Sequence, residues 1–263
     1  MVNDDGIDSP ELIALAAAAV QADLNVVVAA PRWQSSGTSA GIIVTVRQGR
    51  TLIERRQLAD LPGVEAYSLE AQPGYIVLAA VRGWLDPAPE LVLSGINYGA
   101  NVGRALLHSG TVGAALTAGV NGRCGLAVSL DVGPQPPATA GRAGDQIAGA
   151  PHWDTAVHLL PGVLELLTGA PPGTVLTLNA PDRPVAALRE LRCTTLAEFG
   201  AVQTRVDRVD NGQLHLVDVE VDTPPATDTD SALLAAGYPT LTALESVGEA
   251  SSPVLSQWLE TLG

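Results

Sequence analysis

Short apolar runs alternate with longer helical stretches along this chain, and that alternation constrains its fold more than any other feature. "LNVVVAAP" (24–31), "ELVLSGIN" (90–97), "GLAVSL" (125–130) and "TVLTLNAP" (174–181) are near-continuous rather than alternating, the pattern of strands buried on both faces. Helices are expected at "ELIALAAAAVQA" (11–22), "GYIVLAAVRGWL" (74–85), "TVGAALTAGV" (111–120) and "TAVHLLPGVLELL" (155–167). The first opens on Ser9-Pro10-Glu11, a capping residue followed by proline and an acid, and Asp154 begins the last. Strands and helices in this order predict an α/β fold: a mostly parallel sheet with helices on both faces. "IIVTV" (42–46) and "RTLIERR" (50–56) read as further β-structure. Residues 133–150, rich in Gly, Pro and Ala without periodicity, read as a mobile loop or linker. From about 190 to 222 the pattern changes to an apolar/polar alternation around Asp210-Asn211-Gly212, a hairpin signal. An amphipathic helix, "SPVLSQWLETL" (252–262), is expected last. The economical division is one α/β domain over 1–263, with its core at about 1–132 and 151–190.

Composition narrows what such a domain can do. A net charge of −14 argues against nucleic-acid polymers, which need basic surface. With four Trp, four Tyr and one Phe there is little material for a base-stacking platform along a strand. Lysine is absent and all 14 cationic residues are Arg, which removes P-loop and Schiff-base chemistry. No apolar run is long enough to span a membrane, and the acidic start lacks the basic region of a signal peptide, so a cytoplasmic protein is expected. Cys124 and Cys193 are expected as reduced, buried thiols.

In a parallel α/β sheet, ligands collect beyond the carboxyl ends of the strands. Three stretches leave predicted strands into small polar residues: "VNDDG", "AAPRWQSSGTSAG" and "VLSGINYGANVGRALLHSGT". Together they offer Asp4, Asp5, Ser36 and Asn97, oxygen donors that suit Mg²⁺ or Mn²⁺ rather than Zn²⁺. Two adjacent carboxylates repel each other, and a divalent cation would balance them. Gly95, Gly99, Gly103 and Gly110 permit close backbone approach to a ligand. Ser109-Gly110-Thr111 opens a helix whose N-terminal N–H groups attract phosphate. A metal beside an oxyanion cradle points to metal-assisted hydrolysis of a phosphate ester. Each stretch alone is also ordinary turn, loop or cap chemistry. His108, His152, His158 and His215 are too scattered to form a ligand set, and "GINYGANVG" lacks the dinucleotide-binding spacing.

The ordered set "NDDGI" (3–7), "SSG" (35–37), "SGIN.GAN.G" (94–103) and "SGTVGAA" (109–115) resembles the SurE family of metal-dependent nucleotidases. "LNAP" (178–181) and "TDSALLAAGYPTLTAL" (229–244) follow in the family's order. The resemblance implies a Rossmann-like three-layer core, one divalent cation per subunit, and release of phosphate from nucleoside 5′- or 3′-monophosphates. It implies homodimers or homotetramers built through the hairpin and C-terminal region, about 191–263. It assigns Asp4, Asp5, Ser36 and Asn97 to the metal, and gives one of the two acids the attacking water. Asn101, Ser109, Gly110 and Thr111 match phosphate-lining positions, and Asn3 is expected close to the substrate.

The chain also departs from the family. Only Met1 and Val2 precede "NDDG", where the family has several apolar residues of a first strand. Arg32-Trp33 replaces Asp-Arg, "EAQPGYI" (70–76) replaces an acid-containing turn, Arg104 stands where acids are usual, His108 replaces Tyr, and Ala243 replaces Pro. Two readings follow: an active phosphomonoesterase, or a non-catalytic member that binds a nucleotide or another phosphorylated ligand.

Overall fold

The computed structural model describes residues 1–133, 150–198, 202–210, 212–220 and 226–248, together with 257, 258 and 261. The predicted loop at 133–150 and the predicted terminal helix at 252–262 lie, but for their few described residues, outside that set.

The described elements follow the expected alternation. Helix α1 (Pro10–Gln21) precedes β1 (Val27–Pro31); then come β2 (Val46–Arg47), β3 (Arg50–Thr51), β4 (Ile53–Arg56) and β5 (Glu65–Leu69). Helix α2 (Pro73–Ala79), β6 (Leu91–Tyr98), α3 (Gly110–Val120), β7 (Cys124–Asp131), α4 (Trp153–Thr168) and β8 (Val175–Pro181) complete the core. The chain continues through β9 (Arg192–Thr194), β10 (Val202–Asp210), β11 (Gln213–Glu220), α5 (Asp230–Ala235) and β12 (Thr240–Leu244).

Strands β6, β7 and β8 run parallel, with β12 antiparallel to β8 and β9 beyond it. Strands β1 and β5 are a second parallel pair, with β4 antiparallel on the edge. Residues 1 and 2 link the two sheets. Val2 donates to Leu93 O and accepts from Gly95 N, while Met1 O accepts from Ala29 N at 2.8 Å. The loop "NDDG" thus leaves the centre of the sheet.

Side chains alternate across it. Leu126, Val128 and Leu130 of β7 pack with Leu15 of α1 and with Leu160, Val163 and Leu164 of α4. On the other face Ala29, Val92, Ile76 and Val77 meet Ala114 and Ala118 of α3, and Ala127 meets Val112 and Ala115. The result is three layers, with α1 and α4 on one side and α2 and α3 on the other. Small residues let α3 lie close: a Cβ on Gly125 would meet Ala115 O at 2.5 Å.

Four expectations change. Helix α2 is shorter than predicted, because a wider turn at Ala80–Trp84 carries Gly83 at φ +102° and stops it. Ser9 does not cap α1; its hydroxyl accepts from Asn3 instead. Of 42–46 only Val46 joins a strand. Cys124 is buried but Cys193 is exposed, since β9 is the edge strand. The hairpin β10–β11 pairs as expected, and it exposes Val206, Val209, Leu214 and Val217.

Candidate active site

The four residues of "NDDG" close on themselves before anything else touches them. Asn3 Nδ2 donates to Gly6 O at 3.2 Å and to Ser9 Oγ at 2.6 Å, and Asn3 Oδ1 accepts from Gly6 N. Gly6 has φ +109°, which a side chain would resist. This turn fixes where Asp4 and Asp5 emerge. Asn3, expected close to the substrate, is fully buried here and its amide is engaged within the loop.

Asp4 points inward and is only 3% exposed. Thr111 Oγ1 lies 2.6 Å from Asp4 Oδ1 and 3.3 Å from Asn97 Oδ1. One hydroxyl has one proton, and the shorter, charged contact takes it, so Asn97 Oδ1 keeps its acceptor capacity. Asn97 is steadied by its own Nδ2, which donates to Gly99 O at 2.8 Å. Helix α3 begins against the same carboxylate. Ser109 caps it by accepting from Val112 N, and a Cβ on Gly110 would lie 2.8 Å from Asp4 Oδ2. Burial pushes the Asp4 carboxyl above the usual carboxylate range. The Thr111 hydroxyl, and then backbone N–H groups including those of Thr111 and Gly110, pull it back. The N-terminus of α3 therefore already faces an anion, the side chain of Asp4.

Asp5 sits half-buried on the outer side. Gln34 Nε2 reaches both Asp5 Oδ1, at 3.3 Å, and Ser36 Oγ, at 3.1 Å, on the exposed loop after β1. An amide donor thus bridges two oxygens expected to share a cation. The loop is anchored beneath by Ser35 N donating to Asp4 O at 2.7 Å, and further on by Ser39 Oγ donating to Leu107 O at 2.6 Å.

Asn101 occupies the loop after β6, and two buried side chains from the C-terminal half hold that loop. Asn179 Oδ1 accepts from Asn101 N at 2.8 Å while Asn179 Nδ2 donates to Asn101 O at 3.0 Å. The Asn101 side chain donates to Ser129 Oγ at 2.9 Å. Asp230, fully buried, accepts from Gly103 N, Ala197 N and Ser231 N at 2.7–2.9 Å. Neither Asn179 nor Asp230 follows from the sequence reading. Asn179 was visible as a polar residue in the middle of an apolar strand, where burial demands partners. Asp230 stands in the first turn of α5, where an acid is also ordinary helix-start chemistry.

The structure therefore joins Asp4, Asn97, Gly110 and Thr111 directly and Asp5 to Ser36 through Gln34, with Asn101 on the adjoining loop. Two of the glycines expected to admit a ligand also let the chain approach itself. A Cβ on Gly95, at φ +134°, would meet Val128 O at 2.3 Å, and Gly110 abuts Asp4. Their lack of a side chain serves chain-to-chain approach. Among the described residues no three His, Cys, Asp or Glu side chains cluster as a metal site; the donor set is two carboxylates with neutral oxygens. Such a set fits a hard divalent cation, and the desolvated Asp4 is the group that gains from one.

A three-layer α/β protein with an acidic, oxygen-rich site at the carboxyl ends of its central strands is the class that fold and site define. Residues 1–201 match the family described as Survival protein SurE, and the chain belongs to that family. It is 30% identical to the 5′/3′-nucleotidase SurE of Edwardsiella ictaluri over 98% of this chain and 94% of that one. It is 33% identical to the 5′-nucleotidase SurE of Moorella thermoacetica over 93% of this chain and 88% of the relative. The crystal structure of the SurE protein from Aquifex aeolicus superimposes with a TM-score of 0.74, 24% identity, and coverage of 99% of this chain and 97% of that one.

Proposed function

We propose that this protein is a metal-dependent 5′-nucleotidase, also acting on 3′-monophosphates, that hydrolyses nucleoside monophosphates to nucleoside and phosphate. The observation that carries the reading is the convergence of Asp4, Asn97 and the first turn of α3 with the Asp5–Gln34–Ser36 cluster. The names of the relatives supply the substrate class. Asp4, Asp5, Ser36 and Asn97 would hold one Mg²⁺ or Mn²⁺ per subunit. When bound, that ion supplies Lewis-acid polarisation of the phosphate and a lowered pKa for water.

The remaining work falls to the chain's own groups. Thr111 fixes the Asp4 carboxylate, and Ser109, Gly110 and Thr111 would line the phosphate. Asn101, clamped by Asn179, presents a polar side chain beside them. Asp5 is the acid that solvent reaches, so it orients the attacking water and takes its proton. Assembly as a homodimer or homotetramer through the C-terminal region is part of the same proposal, supported by the apolar residues exposed on β10 and β11. Among the described residues no helix is long and apolar enough to cross a membrane, and the substrate is a small molecule rather than a nucleic-acid polymer.

Phosphate release from nucleoside 5′- and 3′-monophosphates, with Mn²⁺, Mg²⁺ or EDTA, tests the reading. Release that needs the metal and falls about 1,000-fold in Asp5→Asn, with folding intact, supports it. Ligand-dependent thermal stabilisation without release would establish the non-catalytic alternative instead.

A further inference from the structure

A pocket of about 180 Å³ is lined in part by Gln34, the residue that touches Asp5. Residues Arg32–Ser35 form its near wall, and 43–45 and 69–72 form the rest. Trp33 stands at this wall 63% exposed, with the Arg32 guanidinium 5.1 Å from its ring centroid. Glu70, buried between Arg32 (3.7 Å) and Arg47 (3.3 Å), keeps that guanidinium in place. Ser35 Oγ and Gln72 Oε1, from two of the lining residues, are buried out of a ligand's reach, so the exposed indole is the recognition element of this wall. A tryptophan face is what the plane of a nucleobase stacks on.

We propose that this pocket receives the nucleobase, with Trp33 as a specificity-determining residue that stacks the base. The inference rests on the nucleotidase reading for its ligand class, and it concerns a position where this chain departs from its family's usual Asp-Arg. Gln34 both lines the pocket and touches Asp5 and Ser36. A phosphate placed beside the carboxylate cluster, with a cation between them, would leave the sugar and base one side chain away from Trp33. The Arg32 guanidinium stiffens the indole from one side and adds a cation–π contribution. Because Trp33 is exposed, its removal leaves the core untouched.

The test compares AMP with ribose 5-phosphate, the same sugar phosphate without a base, in the wild type, Trp33→Ala and Trp33→Phe. Trp33→Ala should lower kcat/KM for AMP about 10-fold, through KM, and leave ribose 5-phosphate unchanged. Trp33→Phe should restore most of the loss. Equal changes for both substrates, or none for either, would overturn the proposal. Adenosine, which carries no phosphate, separates this inference from the reading beneath it. Adenosine binding, measured by calorimetry, that weakens in Trp33→Ala supports the base pocket even where no phosphate is released, an outcome that sinks the nucleotidase reading alone. Adenosine affinity unchanged by Trp33→Ala sinks the base pocket, whatever the turnover.

Discussion

The inner and outer sides of the site are built differently. On the inner side Asp4, Thr111 and the Asn101–Gly103 loop are tied to buried partners, and Asn179 and Asp230 contribute five hydrogen bonds between them. On the outer side Asp5 and Ser36 meet through the single exposed amide of Gln34, beside the exposed Trp33. The difference separates two jobs. Buried, fully bonded groups hold position because any displacement orphans several partners at once. Exposed side chains such as those of Gln34 and Ser36, 3.1 Å apart, exchange that contact for a ligand at little cost. The inner side sets where the chemistry happens, and the outer side sets what enters.

Replacing one residue on each side should break the molecule in different ways. Asp230→Ala leaves three buried N–H groups without an acceptor, in the β6 loop, the segment at 197 and α5. At roughly 1–3 kcal/mol for each orphaned donor, partly relieved by relaxation, the cost is about 4 kcal/mol. Urea unfolding measures it; a loss under about 1 kcal/mol would show that the inner side is not the rigid one. Ser36→Ala should change stability by less than about 0.5 kcal/mol, as exposed substitutions do. The same variant should raise the Mn²⁺ concentration needed for half-maximal phosphate release about 10-fold. A Ser36→Ala protein that unfolds early and binds metal normally would reverse the assignment of the two sides.

Much of this was legible in the sequence, for a physical reason. Buried parallel strands must be apolar and their carboxyl ends must be polar, so "ELVLSGIN" announces both the strand and Asn97 at its end. Adjacent acids in "NDDG" announce a charge that something must balance. What sequence could not show is which polar group turns inward. Asn3 and Asp4 are neighbours of similar size, yet Asn3 closes its own turn while Asp4 meets Thr111, 107 residues away. Asn179 and Asp230 escaped notice because their partners, Ser231 N apart, are backbone atoms of distant loops, which no local pattern encodes. Gln34 escaped because it neighbours the expected ligand Ser36 and belongs to no recognisable motif.

The smallest effect concerns the proton on Asp4. Burial raises its carboxyl above the usual range, so in the metal-free folded protein it keeps its proton to a higher pH than in the unfolded chain. Between the ordinary carboxylate value and the raised one, the folded state binds more protons. The contribution of Asp4 to stability is then full below the ordinary value and is lost as pH rises through the raised one. Asp4→Asn cannot titrate, so the gap between wild type and this variant isolates the effect from the other acids. In EDTA, urea unfolding should show the wild type losing ground to Asp4→Asn as pH rises. With Mn²⁺ the sign should reverse, because the cation requires the carboxylate and repays its desolvation. A gap that stays flat with pH in EDTA would mean that the Thr111 hydroxyl and the N–H groups of α3 already cancel the desolvation of Asp4. The inner side would then hold its anion without a metal, and the contrast with the outer side would be sharper still.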